Sequence, residues 1–209
     1  MHTGLLSIQG TAIVRVEPDL ALIRLAVSRT APALADAFSR VRTAAQNVRA
    51  FLIASGNGEI RSSRIALHQS GIRPPPYAIE GGYVATVNFS CVVADLEAVE
   101  SVLTGVVSSG ANRLTAIEFL TSKLQAARTE ARRRAVLVAQ EKANFYCEAL
   151  GARLGEVVNI SESDFDASPR QSEHGQLTAA YADSDEKLGT FSPSSIPVGA
   201  TVNLQFRLL

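Results

Sequence analysis

SKLQAARTEARRRAVLVAQEKANFYCEALG, residues 122–151, is the stretch whose reading decides the fold. Ser122 and Gln125 have capping-box spacing and Gly151 supplies a stop, so the run predicts one helix about 43 Å long. On a helical wheel Leu124, Ala127, Ala131, Ala135, Val138, Ala139, Ala143, Tyr146 and Leu150 share a stripe dominated by alanine. Small side chains on one face permit close approach to whatever the helix covers.

Upstream, residues 5–28 alternate in two runs. Leu6, Ile8, Ala12, Val14 and Val16 share a face of the first, and Ala21, Ile23, Leu25 and Val27 a face of the second, which predicts two strands. Glu17-Pro18-Asp19 between them is turn chemistry, because proline presets the backbone angle of a turn and aspartate tolerates the bend; the expectation is a hairpin. Thr30 and Pro32 open a helix whose apolar residues Leu34, Phe38, Val41, Ala45, Val48 and Leu52 step by three and four, and Gly56 and Gly58 end it. A strand over 59–69 leads into Gly71-Ile72-Arg73-Pro74-Pro75-Pro76-Tyr77, where three prolines remove three backbone donors and predict an extended surface loop. Beyond Gly81 and Gly82, Tyr83, Ala85, Val87, Phe89, Cys91 and Val93 face one way and Thr86, Asn88 and Ser90 the other. That is a half-buried strand. Asp95 reads as the N-cap of a short helix to Ser109, with Glu97 in its first turn, and residues 113–120 read as another strand.

Downstream of the long helix come a strand over 156–161, a polar loop insertion over 162–195, and a last strand over 198–209 in which Val202, Leu204 and Phe206 alternate with polar residues. Strand pairs mixed with separated helices predict an α+β fold: mainly antiparallel sheets with helices packed on one face. At 209 residues this is one domain over 1–209 or two interlocked subdomains, able to bury roughly 70% of the unfolded surface.

Lys+Arg 20 against Asp+Glu 20 gives no net charge, which removes the field that would draw the chain to nucleic acid or anionic lipid. No apolar run reaches the roughly 18 residues of a transmembrane segment, and the first residues lack signal-peptide character. The chain as written is expected in the cytoplasm, or in the periplasm if a leader has been removed. Only 19% of residues are charged and the mean hydropathy is +0.12, so more apolar surface than usual needs covering and self-association is a natural outlet.

No motif fixes a reaction. Cys91 and Cys147 lie on apolar faces without CxxC spacing, so burial accounts for them better than metal, disulfide or nucleophilic chemistry. His2, His68 and His174 do not cluster, and no nucleophile elbow, dinucleotide fingerprint or phosphate loop occurs. Asp183-Ser184-Asp185-Glu186 lacks the glycine and spacing of a calcium loop and reads as solvated acid. Lys142 projects beside the alanine stripe, where its ammonium escapes to water along a buried stem or finds a carboxylate. No cofactor or metal is expected.

The chain resembles the SIMPL-domain family, long catalogued as a domain of unknown function, in Gly10-Thr11-Ala12 through Val16-Glu17-Pro18-Asp19-Leu20-Ala21, Pro76-Tyr77, Gly82-Tyr83-Val84-Ala85, Lys142-Ala143, Leu150-Gly151 and Ile196-Pro197-Val198-Gly199. The resemblance covers nearly the whole chain. It implies an α+β fold, large homo-oligomers with rings among them, and roles in envelope biology or stress tolerance; it supplies no catalytic residues. Family members include bacterial periplasmic immunogenic and oxidative-stress-defence proteins, many of them with signal peptides, and an animal relative is a signalling adaptor.

The function expected is therefore a non-enzymatic, self-assembling protein that acts through protein surfaces. The alternative is a small-molecule binder or enzyme with a pocket between sheet and long helix, its polar handles Lys142, Tyr83 and Tyr146. A third reading, an adaptor for other protein partners, would use Pro74, Pro75, Pro76 and Tyr77. Lys123, Arg128, Arg132, Arg133, Arg134 and Lys142 make the long helix basic, while Glu156, Glu162, Asp164, Asp166, Glu173, Asp183, Asp185 and Glu186 make the following segment acidic. If that segment lies against a basic helix of its own or a neighbouring chain, exposed pairs orient it and salt screens them. Limited proteolysis within 162–195 should then accelerate at high salt, and an unchanged rate would contradict the contact.

Overall fold

A computed structural model describes residues 4–56, 58–70, 82–163 and 195–209. It is an α+β arrangement of antiparallel sheets and helices, as the alternation and the helical stripe predict. The chain forms two compact units, one from residues 1–18 with 121–209 and the other from 19–120. Among the described residues no helix is long and apolar enough to cross a membrane.

The first unit is a three-stranded sheet covered by one helix. Strand β1 (Leu5–Val16) pairs antiparallel with the last strand, Ile196–Leu208, from Leu5 opposite Arg207 to Val16 opposite Ile196. The long helix, Leu124–Leu150, lies on these two strands, and a strand at Leu154–Ser163 forms the other edge. The core comprises Ala131, Ala135, Ala139 and Ala143 from the helix against Ala200, Val202, Leu204 and Phe206, with Leu6, Ile8, Ala12 and Val14 half-buried beside them. Gly10 sits beneath the helix: a Cβ there would lie 2.0 Å from the Ala135 carbonyl oxygen and 2.8 Å from the Ala139 Cβ.

The second unit holds β2 (Leu20–Ala31), α1 (Leu34–Ala54), β3 (Ile60–Ser62), β4 (Ala66–Ser70), β5 (Gly82–Val93), a 3-10 turn at Leu96–Ala98, α2 (Val99–Ser108) and β6 (Arg113–Leu120). The long helix, the strand after it and the last strand are accordingly α3, β7 and β8. In the five-stranded sheet β2 lies between β5 and β6, and both β3 and β4 pair with β5. Ala21, Ile23, Leu25, Val27, Ala85, Val87, Phe89, Cys91 and Val93 form the buried face, packed with Val41, Val48 and Leu52 of α1 and Val102 and Val106 of α2.

Several expectations change. The β1–β2 hairpin does not form, because β2 already has β5 on one edge and β6 on the other, and Asp19 N–H donates to the Leu120 carbonyl at 3.0 Å. Glu17-Pro18-Asp19 is instead the passage from one unit to the other. The strand over 59–69 is two strands; the break at Ser63 stays tied to β5, with Ser63 N–H donating to Asn88 O at 2.9 Å and Asn88 N–H to Ser63 Oγ at 3.0 Å. In α1 the buried stripe runs through Ala37 and Ala44, while Leu34 and Phe38 are exposed. Periodicity fixes the step, but small residues chose which of two adjacent stripes could lie close to the sheet. Residues 162 and 163, expected in the loop, end β7 opposite Val202 and Thr201.

In α3 the capping box is replaced by Lys123 at the cap position, without a side-chain cap bond, and Thr121 Oγ1 accepts from Lys123 N–H at 3.1 Å. Its buried residues are Ala127, Ala131, Ala135, Ala139, Ala143 and Cys147, whereas Leu124, Tyr146 and Leu150 are exposed. A four-residue repeat advances about 40° per step, so the stripe winds around the helix and keeps contact with a twisted sheet. A straight stripe would have chosen Tyr146 over Cys147. Gly151 ends the helix at φ 65°, the left-handed stop.

Gly10→Ala should destabilise the protein by about 1–3 kcal/mol or more, since the added methyl meets backbone. Gly105→Ala, whose Cβ meets the rotatable Phe51 ring at 1.9 Å, should be the milder change. Urea denaturation measures both, and a Gly10→Ala variant as stable as the parent would refute the close approach.

Candidate functional site

On the side of α3 towards β7, basic residues stand one helical turn apart. Arg132 Nε donates to both carboxylate oxygens of Glu162 on β7, at 2.8 and 3.1 Å. One turn nearer the helix start, Arg128 lines a groove of about 710 Å³ together with Leu124, Arg132, Glu162, Ser163 and residues 196–200 of β8. Among the described residues the pairing of β7 with β8 runs to Ser163 opposite Thr201, beside the lining residues 196–200. The remaining basic residues here are engaged. Arg133 and Arg134 reach Glu130 at 2.9 and 2.6 Å, and these hydrogen bonds, Arg133's first, hold its carboxyl down at about 2.

Among the described residues β7 is an edge strand, exposed along most of its length, including Val157, Val158 and Ile160. The nearby end of α3 exposes Phe145, Tyr146 and Leu150, with the Phe145 and Tyr146 rings edge-to-face at 5.8 Å.

Across residues 6–206 the sequence matches the model of the SIMPL family, described as "Protein of unknown function (DUF541)". The chain belongs to the SIMPL family. Over 213 residues it is 24% identical to the 26 kDa periplasmic immunogenic protein of Brucella melitensis biotype 1, an alignment covering 97% of this chain and 84% of that protein. The protein of the same description from Brucella abortus (strain S19) matches with the same identity and coverage. Two of the SIMPL-like residues have structural work in this chain: Gly10 admits α3, and Gly151 ends it.

The three polar handles expected of a pocket fall in different units of this SIMPL chain. Tyr83 is half-buried on β5 against the core of the second unit, while Lys142 and Tyr146 belong to α3 of the first. Lys142 is exposed and its Nζ donates to the Gln9 carbonyl at 3.1 Å, so its partner is backbone and not the carboxylate considered from sequence. The groove between α3 and β8 is the kind of place expected for a pocket, but its lining residues are others. Arg128 and Arg132 sit four apart and Glu162 follows on the next strand; that arginine spacing was the available signal, masked by the four further basic residues of the helix.

Cys91 and Cys147 are both buried free thiols, and burial pushes the Cys91 thiol up. His68 pairs with Val84 on β5 whereas Cys91 pairs with Ile60, which separates them along the sheet as the sequence suggested. Of the acidic segment, Glu162 meets Arg132 and Glu156 meets Arg207 at 3.4 Å, while residues 164–194 lie outside the described residues. Pro74, Pro75, Pro76, Tyr77, His2 and His174 lie outside them as well.

Glu130 is held below its unfolded value of 4.5, so the Arg133 and Arg134 contacts contribute fully above the ordinary carboxylate range and fade as pH falls towards about 2. An NMR titration should place the Glu130 midpoint near 2, and Arg133→Ala should raise it; a parent midpoint in the usual carboxylate range would disprove the pairing.

Proposed function

We propose that this SIMPL chain is a non-enzymatic protein of the cell envelope that assembles with copies of itself and acts through protein surfaces. The observation that carries the reading is the β7 edge, where Ile160 is 65% exposed and Val157 and Val158 40% each. A long edge strand with apolar side chains presents unpaired backbone groups together with apolar surface, the combination that recruits another strand or sheet. Leu150 at 75% and Phe145 at 67% exposure add a second apolar area in the same unit. Burying such side chains contributes roughly 25 cal/mol per Å², which favours association of a chain with so few charges.

The envelope setting rests on the Brucella relatives, whose description names the periplasm. They lend no support to the cytoplasmic expectation. Stress tolerance is the role that the family resemblance adds to this reading. Action by binding is favoured by the same exposed apolar residues on β7 and α3.

Light scattering coupled to size-exclusion chromatography should return a mass of several chains at micromolar concentration. Ile160→Lys, which puts a charge on the exposed edge without touching the buried alanine stripe, should reduce that mass. A parent that runs as a single chain would sink the proposal.

A further inference from the structure

We infer that the second unit binds a small phosphorylated polyol, a phosphate monoester on a hydroxyl-bearing carbon chain, in a groove between α1 and the end of α2. This inference stands apart from the assembly reading, which concerns the first unit. The groove has a volume of about 660 Å³, within the range of ligand-binding clefts. Its walls are the unbroken run from β2 into α1 and the turn over 108–110 that leads from α2 to β6, on the β6 side of β2. Ser39, Arg40, Thr43 and Asn47 line it from α1, because steps of three and four residues keep to one side of a helix.

Arg29 fixes the floor of this groove. It alternates with Val27 and Ala31 on the core-facing side of β2 and is half-buried. Its Nη1 and Nη2 donate to the carbonyls of Ser28 at 2.9 Å and Gly110 at 2.7 Å. These bonds hold the guanidinium plane in place and commit two of its five N–H groups. Among the described residues that line the groove none is acidic, so Arg29 and Arg40 concentrate positive charge in a chain with no net charge. The carbonyl end of α2 opposes an anion, but the Gly105, Val106 and Val107 carbonyls already accept from backbone N–H groups of Ser109, Ala111 and Gly110 at 2.9–3.0 Å. A phosphate monoester carries about two negative charges and three acceptor oxygens, which match two arginine forks better than the single charge of a carboxylate. The remaining lining sets the rest of the ligand. The hydroxyls of Ser39, Thr43 and Ser109 and the Asn47 amide both donate and accept, as the hydroxyls of a polyol do. Thr43 Oγ1 donates to the Ser39 carbonyl at 3.2 Å, which turns its lone pairs to such a partner.

The test is isothermal titration calorimetry at low salt on the full chain, with glucose 6-phosphate as the probe. Glucose, inorganic phosphate and phosphatidylglycerol vesicles are its controls. Glucose 6-phosphate should bind with a Kd of about 0.1–1 mM, about tenfold tighter than inorganic phosphate, and glucose should give no saturable heat. Arg40→Ala should weaken glucose 6-phosphate about tenfold. Asn47→Ala should weaken it while leaving inorganic phosphate unchanged. Both side chains are exposed, so both variants should keep the parent's melting temperature. Equal binding of glucose 6-phosphate and inorganic phosphate, or binding indifferent to Arg40→Ala, would overturn the proposal. So would binding of the vesicles without binding of glucose 6-phosphate, which would give the groove to a lipid headgroup.

Discussion

The first unit depends on how closely a helix backbone can approach a strand. Gly10 has no side chain, and the helix above it presents Ala135 and Ala139, so strand and helix meet almost backbone to backbone. Alanine buries little apolar area by itself. The stability of this face comes instead from many short-range contacts, each about 0.1–0.2 kcal/mol, and from larger β8 residues such as Leu204 and Phe206 that the approach seals from water. A bulkier residue at Gly10 would lift the helix and open that whole layer.

The second unit solves the same problem with other sizes. Its sheet supplies the volume through Ile23, Leu25 and Phe89, and α1 turns Ala37 and Ala44 inward. Gly105 of α2 leaves room for the Phe51 ring of α1. Large against small recurs at each contact, which allows close packing without voids.

Much of this was legible in the sequence, and what was not has a common cause. Alternation assigned the inward residues of β2, β5 and β8 because a half-buried strand must send every second side chain to the core. It said nothing about which strands are neighbours, so β1 was given to β2 when its partner lies at the opposite end of the chain. Helix boundaries near Gly56 and Gly151 were readable because both glycines adopt the left-handed conformation. The inward stripe of α1 was not, because a wheel counts large residues and the sheet selected small ones. For the groove, the chemistry of Arg128, Arg132 and Glu162 was visible, but that β7 lies beside this side of α3 arises only from tertiary pairing.

Thr11 and Thr201, whose hydroxyls meet at 3.2 Å across β1 and β8, are separated by 190 positions. During synthesis, β1 leaves the ribosome long before β8 and must wait for it before its sheet can close. The described strands and helices of the unit over 19–120 are all present as soon as residue 120 has emerged. Closing a loop of that length is slow. The first unit therefore stays unlocked for as long as synthesis takes to run on to β8, while the other can already have closed.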